Sequence, residues 1–306
     1  MAWARPLGHL NRPTYGDYVG RGCSPATGAL PAGNRSSFSR AQPRRRSGIL
    51  KDRKVVVVTG GASGIGAACV SHFIGQGWHP VVNYYLDSER GAANDLVDAG
   101  RSAGQAGLAV QGDVTIDADC RAIAAQALHH FGRIDALICS AGMTRLVAHA
   151  DLDALTMDDF LSTAAVNTAG PFQISRACAP ALADGEGGAI VIISSYGAIF
   201  GTGSSIAYAA SKGATNTLTM SLARVLAPRV RVNAVCPALV GDGFVQRLDP
   251  ELFAARAKIQ IERAPLRRVA KASEVAADVY WLAAGASLMT GTVIALDCGL
   301  HLNGDG

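Results

Sequence analysis

Val55-Val56-Val57-Val58 runs directly into Thr59-Gly60-Gly61-Ala62-Ser63-Gly64-Ile65-Gly66, and helix-compatible residues continue through Ala67, Ala68, Cys69, Val70, Phe73 and Ile74. A short run of β-branched apolar residues reads as a strand buried on both faces. The glycines let the backbone turn tightly and come close to a ligand, and a helix that opens right after them offers free N–H groups to an anion. A strand, a glycine turn and a helix in that order seat a dinucleotide pyrophosphate. The chain holds 35 glycines, so the glycine content alone says little. The flanking strand and helix give the stretch its meaning.

Further apolar runs alternate with helical ones, which predicts strands near 54–59, 80–85, 107–112, 134–139, 188–194, 230–236 and 292–296. About seven strands with intervening helices argue an α/β fold, a doubly wound parallel sheet covered on both faces. The composition, 49% hydrophobic and 17% charged, suffices for such a core. No apolar run approaches the roughly 18 residues of a membrane span.

Residues 1–50 are different material. They carry eight arginines, no lysine and one acid, Asp17, for a net charge of +7, whereas the remainder is net −3. Proline, glycine and serine recur there, which predicts a disordered basic extension before a single domain at 51–306. Three roles are open: an organelle transit peptide, a polyanion-binding tail, or a translated upstream region with no selected role. No secretory signal is expected, because no apolar core segment is visible. Seven cysteines at scattered positions, with no Cys-x-x-Cys, fit reduced thiols and a cytoplasmic location. Cys139 and Cys236 are expected near strand ends by the cleft, as small hydrophobes or as alkylation-sensitive thiols. The histidines show no zinc-ligand spacing, and no metal is expected.

The chemistry concentrates later in the chain. Tyr208 and Lys212 are four apart, so a helix puts phenol and ammonium on one face. A nearby positive charge is expected to lower the tyrosine pKa from about 10, which suits proton transfer to a carbonyl. Ser195 closes the apolar run Gly188–Ser195, at the strand end where open α/β sheets bind ligands, and its hydroxyl can donate to a substrate oxygen. Asn167 falls in a long helical stretch, either making local hydrogen bonds or holding a water that connects the lysine to solvent.

Thr59-Gly60-x-x-x-Gly64-x-Gly66, Asn167, Ser195 and Tyr208-x-x-x-Lys212 together resemble the short-chain dehydrogenase/reductase family. So do Asp113-Val114, the run Arg231–Pro237, and the tail through Ala264–Arg267, Ser273–Ala276, Thr290-Gly291 and Asp297. The likeness spans about residues 50–302 and is greatest to 3-oxoacyl-acyl carrier protein reductases and related sugar or alcohol dehydrogenases. It implies a Rossmann-like domain that moves a hydride between NAD(P)(H) and a ketone or secondary alcohol. Tyr208 would then be the acid or base, Lys212 its pKa modulator and ribose contact, Ser195 the oxygen binder, and Asn167 the anchor of a relay water. The cofactor contacts it implies begin at Thr59, Gly60, Ser63, Gly64, Ile65 and Gly66. They continue through Tyr84, Asp113 and Val114 to Ser140, Ala141, Gly142, Pro237 and Val240, beside Tyr208 and Lys212.

The chain departs from the family pattern at four places. Cys139-Ser140 replaces a pair of asparagines that brace the sheet, with Ser140 expected to restore part of that bonding. Ala238 replaces a glycine and Asp242 a threonine, and Cys298 interrupts Asp-Gly-Gly. No charged residue ends the second strand, where an acid would select NAD and arginine NADP. Tyr84 is read as the deciding position, Ser63 as a donor to a 2′-phosphate and Asp87 as a helix cap, so NADP(H) is slightly preferred over NAD(H).

Substrate choice is expected in the loop 143–151 and in 238–263, with a hinge at Gly241–Gly243 and apolar Phe244, Val245 and Leu248. Arg145, Arg247 and Arg256 are either solvated charges or contacts for an acidic substrate or carrier protein. A small carbonyl or alcohol substrate is expected, with no nucleic-acid partner. The helices around 156–182 and 206–227 are the ones the resemblance pairs between subunits, giving a homotetramer or dimer. The rival reading is a regulatory or scaffold protein that binds NAD(P) without turnover.

Overall fold

The computed structural model describes residues 53–302 except Gly185 and Asp242, and the side chain of Phe244 is likewise outside the description. The expected disorder of 1–50 and the role of Asp242 therefore fall outside the described residues.

Seven parallel strands form one sheet in the order β3-β2-β1-β4-β5-β6-β9. They are β1 (Val55–Thr59), β2 (His79–Tyr84), β3 (Leu108–Gln111), β4 (Ala136–Cys139), β5 (Gly188–Ile193), β6 (Val230–Pro237) and β9 (Val293–Leu296). All seven expected strands are present, with ends moved by one or two residues. A second ladder that the sequence did not announce pairs β7 (Val240–Gly241) with β8 (Ala270–Lys271). Strand order reverses between β1 and β4, so the loops leaving those strands diverge and open a crevice at their carboxyl ends.

Side-chain alternation along β1 divides the core in two. Val56 and Val58 face α1 (Gly64–Gly75), α2 (Arg90–Ser102) and α10 (Ala272–Ala284), where Phe73, Val97, Val279 and Leu282 are buried. Val55 and Val57 face α3 (Asp117–Phe131), α5 (Gly170–Ala183) and α7 (Ile206–Leu226), where Ile123, Ile174, Leu182 and Leu222 are buried. Every β1 residue is buried, which is why the strand reads as an unbroken apolar run.

The long helix expected at 156–182 is two helices, α4 (Met157–Ala164) and α5, joined by a wider π-helical turn at Ala165–Ala169. Asn167 sits in that turn. Single π turns interrupt α-helices mostly at functional sites, because the extra residue re-aims side chains. Short helix α6 (Gly197–Phe200), α8 (Phe244–Leu248), α9 (Pro250–Arg263) and the β7–β8 ladder border the crevice.

Candidate active site

The glycine turn fits against the exit of β4 because it lacks side chains. Gly60 has φ +60°, and a Cβ there would lie 2.8 Å from Ala141 Cα. A Cβ on Gly66 would lie 2.1 Å from the Gly60 carbonyl oxygen. Both obstacles are backbone, so no rotamer change relieves them. Thr59 ties the same two exits together: its Oγ1 accepts from Ser140 N and Ala141 N at 3.2 Å each and donates to Ile138 O at 3.5 Å. Thr59 thus supplies bracing where the asparagine pair is missing, and Ser140 takes part through its backbone N–H. Cys139 is buried, with its thiol pushed up to about 12 by burial, and Cys236 is buried with Sγ 3.6 Å from Asn216 Oδ1. Neither thiol lines the cleft, so both are small hydrophobes.

A cleft of about 2050 Å³ opens above these exits. Ser63, Gly64 and Ile65 border it at the start of α1, and Ser63 makes no capping bond with its side chain. The turn therefore fits a pyrophosphate: free helix N–H groups, a spare hydroxyl, and space that a Cβ would fill. Asp113 and Val114 also line the cleft, Asp113 holding its loop by accepting from Thr115 N and Thr115 Oγ1 at 2.8 Å each. Ser140, Ala141, Gly142, Pro237 and Val240 line the cleft as well.

Tyr84 is a correction. Its side chain is buried in the α1 face of the core, because an odd step along β2 turns it away from the ligand side. Asn83, Tyr85, Leu86 and Glu89 meet the cleft instead. Asn83 Nδ2 donates to Gly112 O at 3.0 Å and Val110 O at 3.3 Å, and Glu89 Oε2 accepts from Tyr85 N and Leu86 N at 3.1 Å each. Asp87 is not the cap expected of it. It pairs on the outside with Arg90 at 2.7 Å, and the local cap is Glu89. A lone polar residue in the apolar run of β2 was the signal for Asn83. Nothing in the sequence marked Glu89.

Three of the four chemical residues, Ser195, Tyr208 and Lys212, line the cleft, and Asn167 is buried behind it. Ser205 Oγ caps α7 by accepting from Tyr208 N at 3.2 Å, and the next turn brings Lys212 beneath the phenol. Lys212 is buried, its Nζ donating to Ile193 O at 2.7 Å and lying 5.8 Å from the Tyr208 ring centre. Ser195, two residues past β5, accepts from Gly197 N at 3.1 Å and lies close enough to the phenol to favour its ionised form. Tyr208, Lys212 and Ser195 all line the cleft.

Asn167 is fully buried and its amide is engaged by protein. Nδ2 donates to Met143 O and Ser211 Oγ at 3.0 Å each, while Oδ1 accepts from Met143 N at 2.9 Å. The side chain thereby fixes the loop after β4 against α7. Ser211 extends the network by donating to Tyr208 O at 2.7 Å.

The expected acidification of Tyr208 is absent. Burial pushes the phenol up to about 12, opposed by the Ser195 hydrogen bond, and burial brings Lys212 down to about 8. Each group is removed from water, so each favours its neutral form, and at this separation desolvation outweighs mutual attraction. Lys212 still keeps its proton at pH 7.

The lysine shift sets a pH dependence. Below about 8 both folded and unfolded chains hold the proton; between 8 and 10.5 unfolding takes one up, so rising pH favours the folded state. From pH 8 to 10, wild-type stability should rise by about 2 kcal/mol relative to Lys212→Met. Buried thiols titrate equally in both proteins and cancel. Denaturant unfolding of the cofactor-free proteins under reducing conditions checks this, and a gap that does not change with pH refutes it.

Comparison with known proteins agrees with this geometry. Residues 60–301 match the family model described as enoyl-(acyl carrier protein) reductase. A protein of Streptomyces violaceoruber named as ketoacyl reductase 2 of the granaticin polyketide synthase is 37% identical over 250 residues, covering 81% of this chain and 96% of that one. A crystal structure from Burkholderia xenovorans, described as a short-chain dehydrogenase/reductase, superposes with TM-score 0.77 at 41% identity over 82% of this chain and 99% of that one. A blue fluorescent protein from a metagenomic library, solved with NADPH, superposes at 0.72 with 30% identity over 82% and 98%. The chain belongs to the short-chain dehydrogenase/reductase family and is an NAD(P)-dependent oxidoreductase acting on carbonyl or hydroxyl groups.

Proposed function

We propose that the chain reduces a small ketone, or oxidises the matching secondary alcohol, with Tyr208 as the proton-transferring group. The observation that carries this reading is that Tyr208, Lys212 and Ser195 share one cleft with the glycine turn. When bound, NAD(P)H supplies the hydride. Ser195 Oγ donates to the carbonyl oxygen, and Tyr208 Oη passes it a proton as negative charge develops there. The phenolate left behind faces the Lys212 ammonium, which lies 5.8 Å from the ring centre and favours the anion as it forms.

Asn167 serves as a positioning residue through the Met143 loop and Ser211. The carbonyl oxygen of Asn167 accepts from Thr215 Oγ1 at 2.8 Å, which ties the π turn to α7. A non-catalytic cofactor binder would need a broken proton path, and the residues of this one are intact. Tyr208→Phe should lower kcat on a ketone and alcohol panel by about 10²- to 10⁴-fold while leaving cofactor affinity within a few-fold. Fluorescence titration with the cofactor and steady-state rates measure the two effects. Unchanged turnover would defeat the role, and tight binding without wild-type turnover anywhere on the panel would favour the non-catalytic reading.

For the nucleotide, NADP(H) stays slightly preferred over NAD(H), with both accepted. Ser63 supports a 2′-phosphate and Glu89 opposes one, although two backbone N–H groups already draw on the Glu89 charge. The ratio of kcat/KM for NADPH to NADH should lie within about tenfold, and Glu89→Gln should raise it several-fold because one repulsion is removed. A variant with the wild-type ratio overturns the role of Glu89.

A homotetramer or dimer is supported by exposed Met157, Leu161, Phe172, Met220 and Val225 on α4, α5 and α7. Sedimentation should give two or four times the chain mass; a monomer ends this reading. Six free thiols among the described residues support a reducing, cytoplasmic setting. No described helix is long and apolar enough to cross a membrane.

A further inference from the structure

We infer that the substrate carries an anionic oxygen group, a carboxylate or phosphate, remote from its reacting carbonyl, and that Arg256 and His149 receive it. The inference rests on the hydride-transfer reading and extends its site.

Three arginines were candidates for meeting an acidic substrate, and the structure separates them. Arg145 is used locally, donating to Ala154 O at 2.9 Å and to Asp159 Oδ2 at 2.8 Å. Arg247 lines the rim of the cleft but already interacts elsewhere. Arg256 lines the cleft, is half-buried, and has no carboxylate within 4 Å among the described residues. Its hydrogen bond goes to Gly203 O, at 3.3 Å. A guanidinium has five N–H donors, and removing it partly from water without an opposite charge is costly.

His149 is the second, independent observation. It also lines the cleft, and its Nε2 is buried with no hydrogen-bond partner. Most buried polar atoms are paired, so an orphan ring nitrogen on a cleft wall points to a ligand atom. Both residues are tethered to one turn. Arg256 bonds Gly203, and Val147, two residues before His149, donates from its N–H to Ser204 O at 2.9 Å. Gly203 packs on the Tyr208 ring, where a Cβ would lie 3.6 Å from Cδ1. Both residues are thereby tied to the turn that packs on the Tyr208 ring.

The same cleft is also lined by the apolar side chains of Leu239, Val240, Val245, Leu248 and Ile259. Glu262 also lines the rim and opposes an anion, so the guanidinium must carry the recognition. A short aliphatic body with one charged end matches this lining. Arginine suits that end because its planar fork can make two parallel charge-assisted bonds.

The test is binding of pentanoate, pentyl phosphate and pentanamide to the NADPH-loaded protein, followed by cofactor fluorescence, alongside turnover of 5-oxohexanoate and its methyl ester. At least one anion should bind about tenfold tighter than pentanamide, and the better anion identifies the group. Arg256→Gln should remove most of that preference, and His149→Gln should weaken anion binding several-fold, giving a second reading if the first variant misfolds. Equal binding of all three ligands, or a preference unchanged in both variants, overturns the inference. Anion preference with no turnover of either ketone would spare it and sink the hydride-transfer reading. Turnover of both ketones with no anion preference would do the reverse.

Discussion

Two chain exits, from β1 and from β4, must touch for this cleft to exist. The sheet order makes their loops diverge immediately afterward; the missing Cβ at Gly60 lets the two backbones meet first, and the one at Gly66 lets α1 start against the same turn. Thr59 then fixes the contact with three hydrogen bonds. Because α1 starts at Gly64, that contact also sets where its free N–H groups point. The cofactor cradle and the wall facing it are consequences of one close approach.

The chemical wall depends on a different balance. α7 brings Tyr208 and Lys212 together, but it also removes both from water, and in the protein alone burial wins on each. A spacing of four residues reports shared location and carries no information on desolvation. Lys212 matters most when charge appears on the phenol. The site is thus organised for the moment of proton transfer more than for the resting state. The Ile193 carbonyl that holds Lys212 Nζ keeps the ammonium in place for that moment.

Much of this was legible from the chain. The valine run, the glycine spacing and the alternation of apolar segments specify strand positions, because parallel strands buried on both faces leave an unbroken apolar signature. The proton-transfer residues were legible through their order and spacing. The facing of Tyr84 was not, because a one-residue step along a strand reverses the side chain, and the end of a buried run does not reveal its phase. Nor was the β7–β8 ladder, since two-residue strands have no periodicity to detect. Asn167 was seen as polar within a helix, but the π turn that aims its amide at Met143 depends on backbone geometry.

The departures from the family pattern follow the same division. Losing the asparagine pair is tolerable because Thr59 and the buried Cys139 leave the β1–β4 contact intact. Cys298 occupies φ +58°, a conformation that costs a non-glycine residue roughly 1 kcal/mol or more. Its neighbour Asp297 secures that turn by accepting from Gly299 N at 3.0 Å and His301 N at 2.8 Å. A turn strained at one residue and held by the carboxylate before it sits under the cleft wall that contains His301. Substitution is therefore absorbed where a neighbouring hydrogen bond can hold the backbone, and the glycines at 60 and 66 are different because their obstacles are backbone atoms that nothing nearby can move.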